Sequence, residues 1–244
     1  MKKEYWIILI VYIGMQLSSF FGIPFMGYLL DLTGKSYTDP QLMSVAYWLV
    51  VSFTTALIIT LFLLRKEMKP SVNERSGTSL WGSIAWAIFG VFLALFAQSI
   101  AANIERLMGI DVRSENTKAI IKLIEAFPFA IIVSSIFGPI LEEIVFRKII
   151  FGGLYKRFNF FISAIISSVV FALAHMEPQH TLLYAAMGFT FAFLYVKTKN
   201  ILVPMFAHVA MNTFVVIVQS VFKDDIEKML HDAEKIQSFI GGFL

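Results

Sequence analysis

The stretch Ile140-Leu-Glu-Glu-Ile-Val-Phe-Arg147 carries three ionisable side chains inside a long apolar run. A charge at the centre of a membrane helix costs about 2.5–3.5 kcal/mol on insertion scales, so a chain that takes such a cluster into a bilayer has a use for it. Whether this run is a membrane helix or a soluble core helix decides the fold, and the rest of the chain answers. Hydrophobic residues make up 58% of the 244, and charged residues 15%. A soluble domain is about one quarter charged. The chain therefore reads as an all-α, polytopic transmembrane helical bundle.

Outward from that stretch, apolar runs near the roughly 20 residues needed to span a bilayer fall at about 5–30, 42–64, 80–103, 127–155, 159–175, 181–197 and 201–222. This layout predicts about seven spans, with six to eight allowed by the uncertain ends. Residues 1–126 are expected to form N-terminal membrane helices and their loops, with a short surface helix over 116–126. Residues 127–222 form a membrane core that holds the polar sites, and 223–244 an interfacial or disordered tail. Met1-Lys-Lys opens like a signal peptide, but the apolar stretch continues to Leu30 without a small-residue cleavage site, so the first helix is expected to be retained. Eleven Lys and Arg fall on one set of loops and five on the other. By the positive-inside rule the N-terminus is cytoplasmic, in a multi-pass protein of the cytoplasmic membrane.

Composition also excludes. The net charge of +3 is small and no basic face forms, so no nucleic-acid partner is expected. The chain has no cysteine, which removes disulfides, thiolate metal ligands and cysteine nucleophiles together. The lipid bilayer is the one partner composition implies; the oligomeric state is not legible.

Spacing suggests roles. Arg147 lies four residues after Glu143 and shares its helix face, so these two read as a structural salt bridge, while Glu142, turned about 100° away, faces a cavity. Pro139 removes a backbone hydrogen bond just upstream and is expected to kink the helix, opening room for water. Phe171 precedes His175 by four residues and walls the same space, and Asn212 follows His208 by four. At about 1.5 Å per residue, Glu142, His175 and His208 lie roughly 21, 24 and 12 Å along their helices from the inner turns, so the three are able to meet at depth. The bland alternatives are that the glutamates and Arg147 only lock helices together, and that each histidine only bridges neighbours. His180, His231 and Glu177 read as solvated or interfacial.

Taken in order, Glu142-Glu143-x-x-x-Arg147, Phe171-x-x-x-His175 and His208-x-x-x-Asn212, with one further helix between the second and third motifs, resemble the signature of the CPBP family. These are the intramembrane CAAX-type proteases and bacteriocin-processing enzymes, also called Abi proteins. The resemblance covers residues 127 to 222, and Pro204 before His208 fits it as well. It implies an intramembrane endopeptidase, with its catalytic core in the C-terminal four helices, that cuts a peptide or membrane-associated precursor. Glu142, His175, His208 and Asn212 would be the catalytic set, supported by Glu143, Arg147 and Phe171. Glu142 would activate water with His175 helping to hold it, and His208 and Asn212 would donate to the oxyanion. Alternatively Glu142, His175 and His208 would hold Zn²⁺. No His-Glu-x-x-His, Gly-x-Ser-x-Gly or paired-aspartate motif competes. A non-proteolytic immunity factor or scaffold on the same fold is the alternative from another class. A proton-coupled transporter is a third, disfavoured by the absence of visible repeats.

Overall fold

The structure is a computed structural model that describes residues 2–66, 78–111, 114–222 and 228. Among the described residues the chain is all-helical. Helix α1 spans Lys3–Leu17 and α2 Ser19–Leu32, followed by α3 (Pro40–Leu64), α4 (Leu80–Leu107) and α5 (Glu115–Ala126). A continuous rod over 130–154, α6, changes its winding along its length. Then come α7 (Phe160–Ala174), a single 3₁₀ turn at Pro178–His180, α8 (Thr181–Thr198) and α9 (Leu202–Val221).

Local chemistry sets the helix starts. Asp39, Ser79, Ser114 and Asn159 each accept a hydrogen bond from a backbone N–H three residues on, capping α3, α4, α5 and α7. Pro40 occupies the first position of α3, where its missing N–H costs nothing. Lys199, left-handed at φ 53°, closes α8.

Among the described residues, four helical segments are long and apolar enough to cross a membrane: α3, α4, Pro178–Thr198 and α9. The pair α1 and α2 is a fifth candidate, bent by 52°. The single first helix expected over 5–30 is thus broken. The break falls at Ser18-Ser19, whose hydroxyls bond back to Met15 and Gln16 carbonyls, and the Trp48 indole N–H donates to Ser18 at 3.3 Å. Hydroxyls that turn back on their own helix bend it. Helix α7 has only 15 residues, about 22 Å of rise against a hydrocarbon core near 30 Å. The other expected helices, including the surface helix α5, fall within a few residues of where the sequence puts them. The expected tail after Phe222 lies outside the described residues apart from Lys228.

The rod α6 is the hub, packing against α1, α3, α7, α8 and α9. Helix α8 lies between α4 and α7, and α9 packs on α4. With lipid as solvent, such contacts depend on close approach more than on expulsion of water. At Gly188 of α8 an added Cβ would stand 2.9 Å from Ser168 Cβ on α7, so glycine allows the crossing there. At Gly22 of α2 the Trp48 ring of α3 fills the space a Cβ would need.

Candidate active site

Two wide-turned stretches interrupt α6. Val133–Phe137 and Glu143–Phe151 are wound as π-helix, with five-residue hydrogen bonds such as Gly138 N–H to Val133 C=O and Gly152 N–H to Arg147 C=O. Between them, Gly138–Glu142 is ordinary α-helix with Pro139 in its first turn. A proline ring inside a helix collides with the carbonyl four residues back, and the wider turn just upstream relieves that collision. Such π insertions recur at functional sites. Here the change of winding falls between Glu142 and Glu143.

Both glutamates reach His208 of α9. Glu143 Oε1 is 2.9 Å from His208 Nδ1, and Glu142 Oε2 is 3.8 Å from Nε2 of the same ring. Glu143 Oε2 stands 3.2 Å from Arg147 Nε, so the expected salt bridge is present. Glu143 therefore does more than the spacing suggests: it holds an arginine with one oxygen and a histidine with the other. A carboxylate only accepts, so Nδ1 of His208 carries a proton and Nε2 faces Glu142. Glu143, Arg147 and His208 are buried, whereas the Glu142 side chain keeps 19% of its surface open. Of the two carboxylates, Glu142 is the one open to its surroundings.

Aromatic rings enclose the charges. The Arg147 guanidinium lies 4.3 Å from the Phe171 ring centre and 5.2 Å from that of Phe191, both favourable cation–π distances. Phe191 stacks on His208 at 4.6 Å. Phe171 is fully buried, edge-on to His175 at 4.6 Å and to His208 at 6.0 Å, and so walls the space as expected. From α1, Tyr12 packs edge-on against Phe146, and its phenol lies within electrostatic reach of Glu142 and Arg147.

His175 caps the C-terminal end of α7, with Nδ1 2.9 Å from the Phe171 carbonyl. No hydrogen bond or ion pair joins it to Glu142 or His208 among the described residues; Phe171 is the link. Asn212 is half-buried one turn after His208 on α9. The structure thus brings Glu142, Glu143, Arg147 and His208 into direct contact and sets His175 at the next ring. Zinc fits the residue types and the ring tautomers, since each Nδ1 is tied to an acceptor as in metal-binding histidines. The arrangement does not fit, because among the described residues no three His, Asp or Glu side chains cluster as a metal-ligand set.

The model of the type II CAAX prenyl endopeptidase Rce1-like family matches residues 124–214. The chain is 51% identical over 221 residues, 90% of each chain, to "Putative membrane peptidase YdiL" of Bacillus subtilis (strain 168). The chain belongs to the CPBP family of CAAX-type membrane proteases. It is also 36% identical over 160 residues to "Membrane-embedded CAAX protease MroQ" of Staphylococcus aureus (strain USA300), covering 63% of this chain and 65% of that one. No solved structure matches significantly.

In this CPBP chain, sequence reasoning missed a second polar layer. Glu177 and His180, expected at the solvated surface, are both buried. His180 Nδ1 is 2.9 Å from Glu105 Oε2, and Glu105 Oε1 accepts from the Leu183 N–H at the start of α8. Glu177 accepts from Tyr184 O–H, Ser114 O–H and Asn116 N–H. Burial alone would raise the Glu177 carboxyl, but these bonds and nearby His180 outweigh it and hold the carboxyl below its ordinary range. Polar residues beside a turn look solvated in sequence whether or not a neighbour covers them. His231 lies outside the described residues.

Proposed function

We propose that this chain is an intramembrane endopeptidase that hydrolyses a peptide bond in a peptide or membrane-associated precursor, with Glu142 as general base. The observation that carries the reading is the Glu142–His208–Glu143–Arg147 chain of contacts, which leaves only Glu142 open. A separation of 3.8 Å is too long for a hydrogen bond and lets Glu142 and His208 Nε2 grip one water between them. As that water attacks the scissile carbonyl carbon, Glu142 takes its proton. The oxyanion is met by the Asn212 amide and by His208 when Nε2 also carries a proton. Glu142 then returns its proton to the leaving amine as the C–N bond breaks. The sequence suggests His175 for holding the water; the 3.8 Å approach of His208 Nε2 to Glu142 supports His208 for that task, with His175 beyond Phe171 as a further catalytic group. Glu143 and Arg147 support His208. Each of these steps uses this chain's own residues.

The membrane setting fits a protease of this kind. The site lies among helices long enough to span a bilayer, where a membrane-anchored substrate arrives laterally. We place it in the cytoplasmic membrane with the N-terminus inside, on the distribution of Lys and Arg.

The test is incubation of detergent-purified protein with precursor peptides, read by mass spectrometry, with and without a chelator. A new cut that survives the chelator and is absent from Glu142→Gln is the expected result. A cut lost with chelator and restored by Zn²⁺ would replace the metal-free route. No cut from any precursor, with cellular function intact in Glu142→Gln, would favour the immunity or scaffold reading.

A further inference from the structure

The ring of His175 is held on several sides, and of the groups that hold it only Phe171 belongs to the three sequence motifs. Tyr184, from the first turn of α8, stacks on it with centroids 4.0 Å apart and planes within 24°. Phe171 meets it edge-on at 4.6 Å, and the Phe171 carbonyl fixes Nδ1. Nε2 is left for chemistry. Tyr184 is itself locked, because its O–H donates to Glu177 Oε2 at 2.6 Å. The same oxygen accepts from Ser114 at 2.7 Å, and Oε1 accepts from the Asn116 N–H at 3.0 Å.

Asn116 then donates from its side chain to the His175 carbonyl at 2.6 Å. Glu177 thus ties the backbone of His175, the plate beneath its ring and the first turn of α5 into one unit. Its carboxylate also sits at the N-terminus of α5, where the helix dipole favours negative charge. Met176, left-handed at φ 56°, provides the turn between His175 and Glu177. A non-glycine residue in that region persists only where its surroundings hold it. On the other side, Glu105 fixes the Leu183 N–H beside Tyr184 at 2.9 Å.

We propose that Tyr184 and Glu177 are positioning residues for His175: Tyr184 sets the plane of the imidazole, and Glu177 locks Tyr184 and the His175 backbone to α5. The catalytic half of this inference rests on the protease reading above. The structural half does not.

The experiment combines hydrogen exchange with kinetics on Glu177→Gln, Tyr184→Phe and Tyr184→Leu in the full-length, detergent-purified protein. Glu177→Gln is expected to raise amide exchange about tenfold or more in residues 114–118 and 175–184, leaving α3 and α4 unchanged. Its kcat falls about 10- to 100-fold while KM moves little, the pattern of a displaced catalytic group. Tyr184→Phe keeps the plate and loses less activity than Tyr184→Leu. If Glu177→Gln does not fold, Tyr184→Phe carries the same exchange comparison, since it removes only the lock. Unchanged exchange in both segments overturns the proposal, and so does wild-type kcat in Tyr184→Leu. A rise in KM with kcat intact also overturns it, because that pattern marks binding and not orientation. If the wild type cuts nothing, the protease reading and the catalytic half fall together, while exchange still decides whether Glu177 holds the segment.

Discussion

Arg147 is a costly side chain to remove from the bundle. It is buried, its partner Glu143 is buried, and Glu143 also holds His208. Deleting one member of such a pair leaves an uncompensated charge and costs about 3–5 kcal/mol, whereas replacing both members is often near neutral. Arg147→Met should therefore lower the unfolding midpoint in detergent sharply, and Glu143→Gln with Arg147→Met should recover part of the loss. If the double variant is as unstable as the sum of the singles, the two charges are not paired in the folded protein. At this scale the sequence is readable only along one helix. The four-residue step from Glu143 to Arg147 is visible in it, because both ends lie on one segment. The Glu143–His208 and Glu105–His180 contacts are not, because the axial offset between helices leaves no mark in a single sequence.

Elements are legible to the extent that their signals are local. Caps at Asp39, Ser79, Ser114 and Asn159 and apolar runs between charges place most helices within a few residues. Pro139 signals a disturbance but not its form, which is a widened winding of α6 and so re-aims Glu142 relative to Glu143. The Ser18-Ser19 bend escapes a reading by hydropathy, because two serines lower the average over so long an apolar run too little to interrupt it. Helix spacing is equally local in origin. Gly188 lets α7 and α8 cross, and an added methyl would meet Ser168 backbone and side chain alike. Gly188→Ala should therefore cost about 1–3 kcal/mol, the usual range for overpacking. It should also reduce cleavage, since α7 carries His175. Thermal unfolding and turnover measured on the same preparation check both. Unaltered stability would mean that the crossing is looser than described.

At the scale of the whole molecule, the outward faces are apolar. Phe21 on α2, Trp81 on α4 and Phe161 on α7 are among the large side chains left exposed. In water such a surface would associate; in lipid it is solvated. Polar side chains of the site turn inward to α6. The orientation across the membrane has a clean test, because the chain has no cysteine of its own. Lys118→Cys, on α5, should react with a membrane-impermeant maleimide in intact cells. Lys156→Cys, in the turn after α6, should react only after permeabilisation. The opposite pattern would invert the topology and place the polar layer around Glu177 on the cytoplasmic side. The measurement that bears most directly on the whole account is the single-turnover cleavage rate of Glu142→Gln against wild type, in preparations with matching unfolding midpoints. Loss of a general base should slow the reaction about 10²- to 10⁴-fold. A rate equal to that of the wild type would contradict the account, because the open carboxylate facing His208 would then have no part in the chemistry.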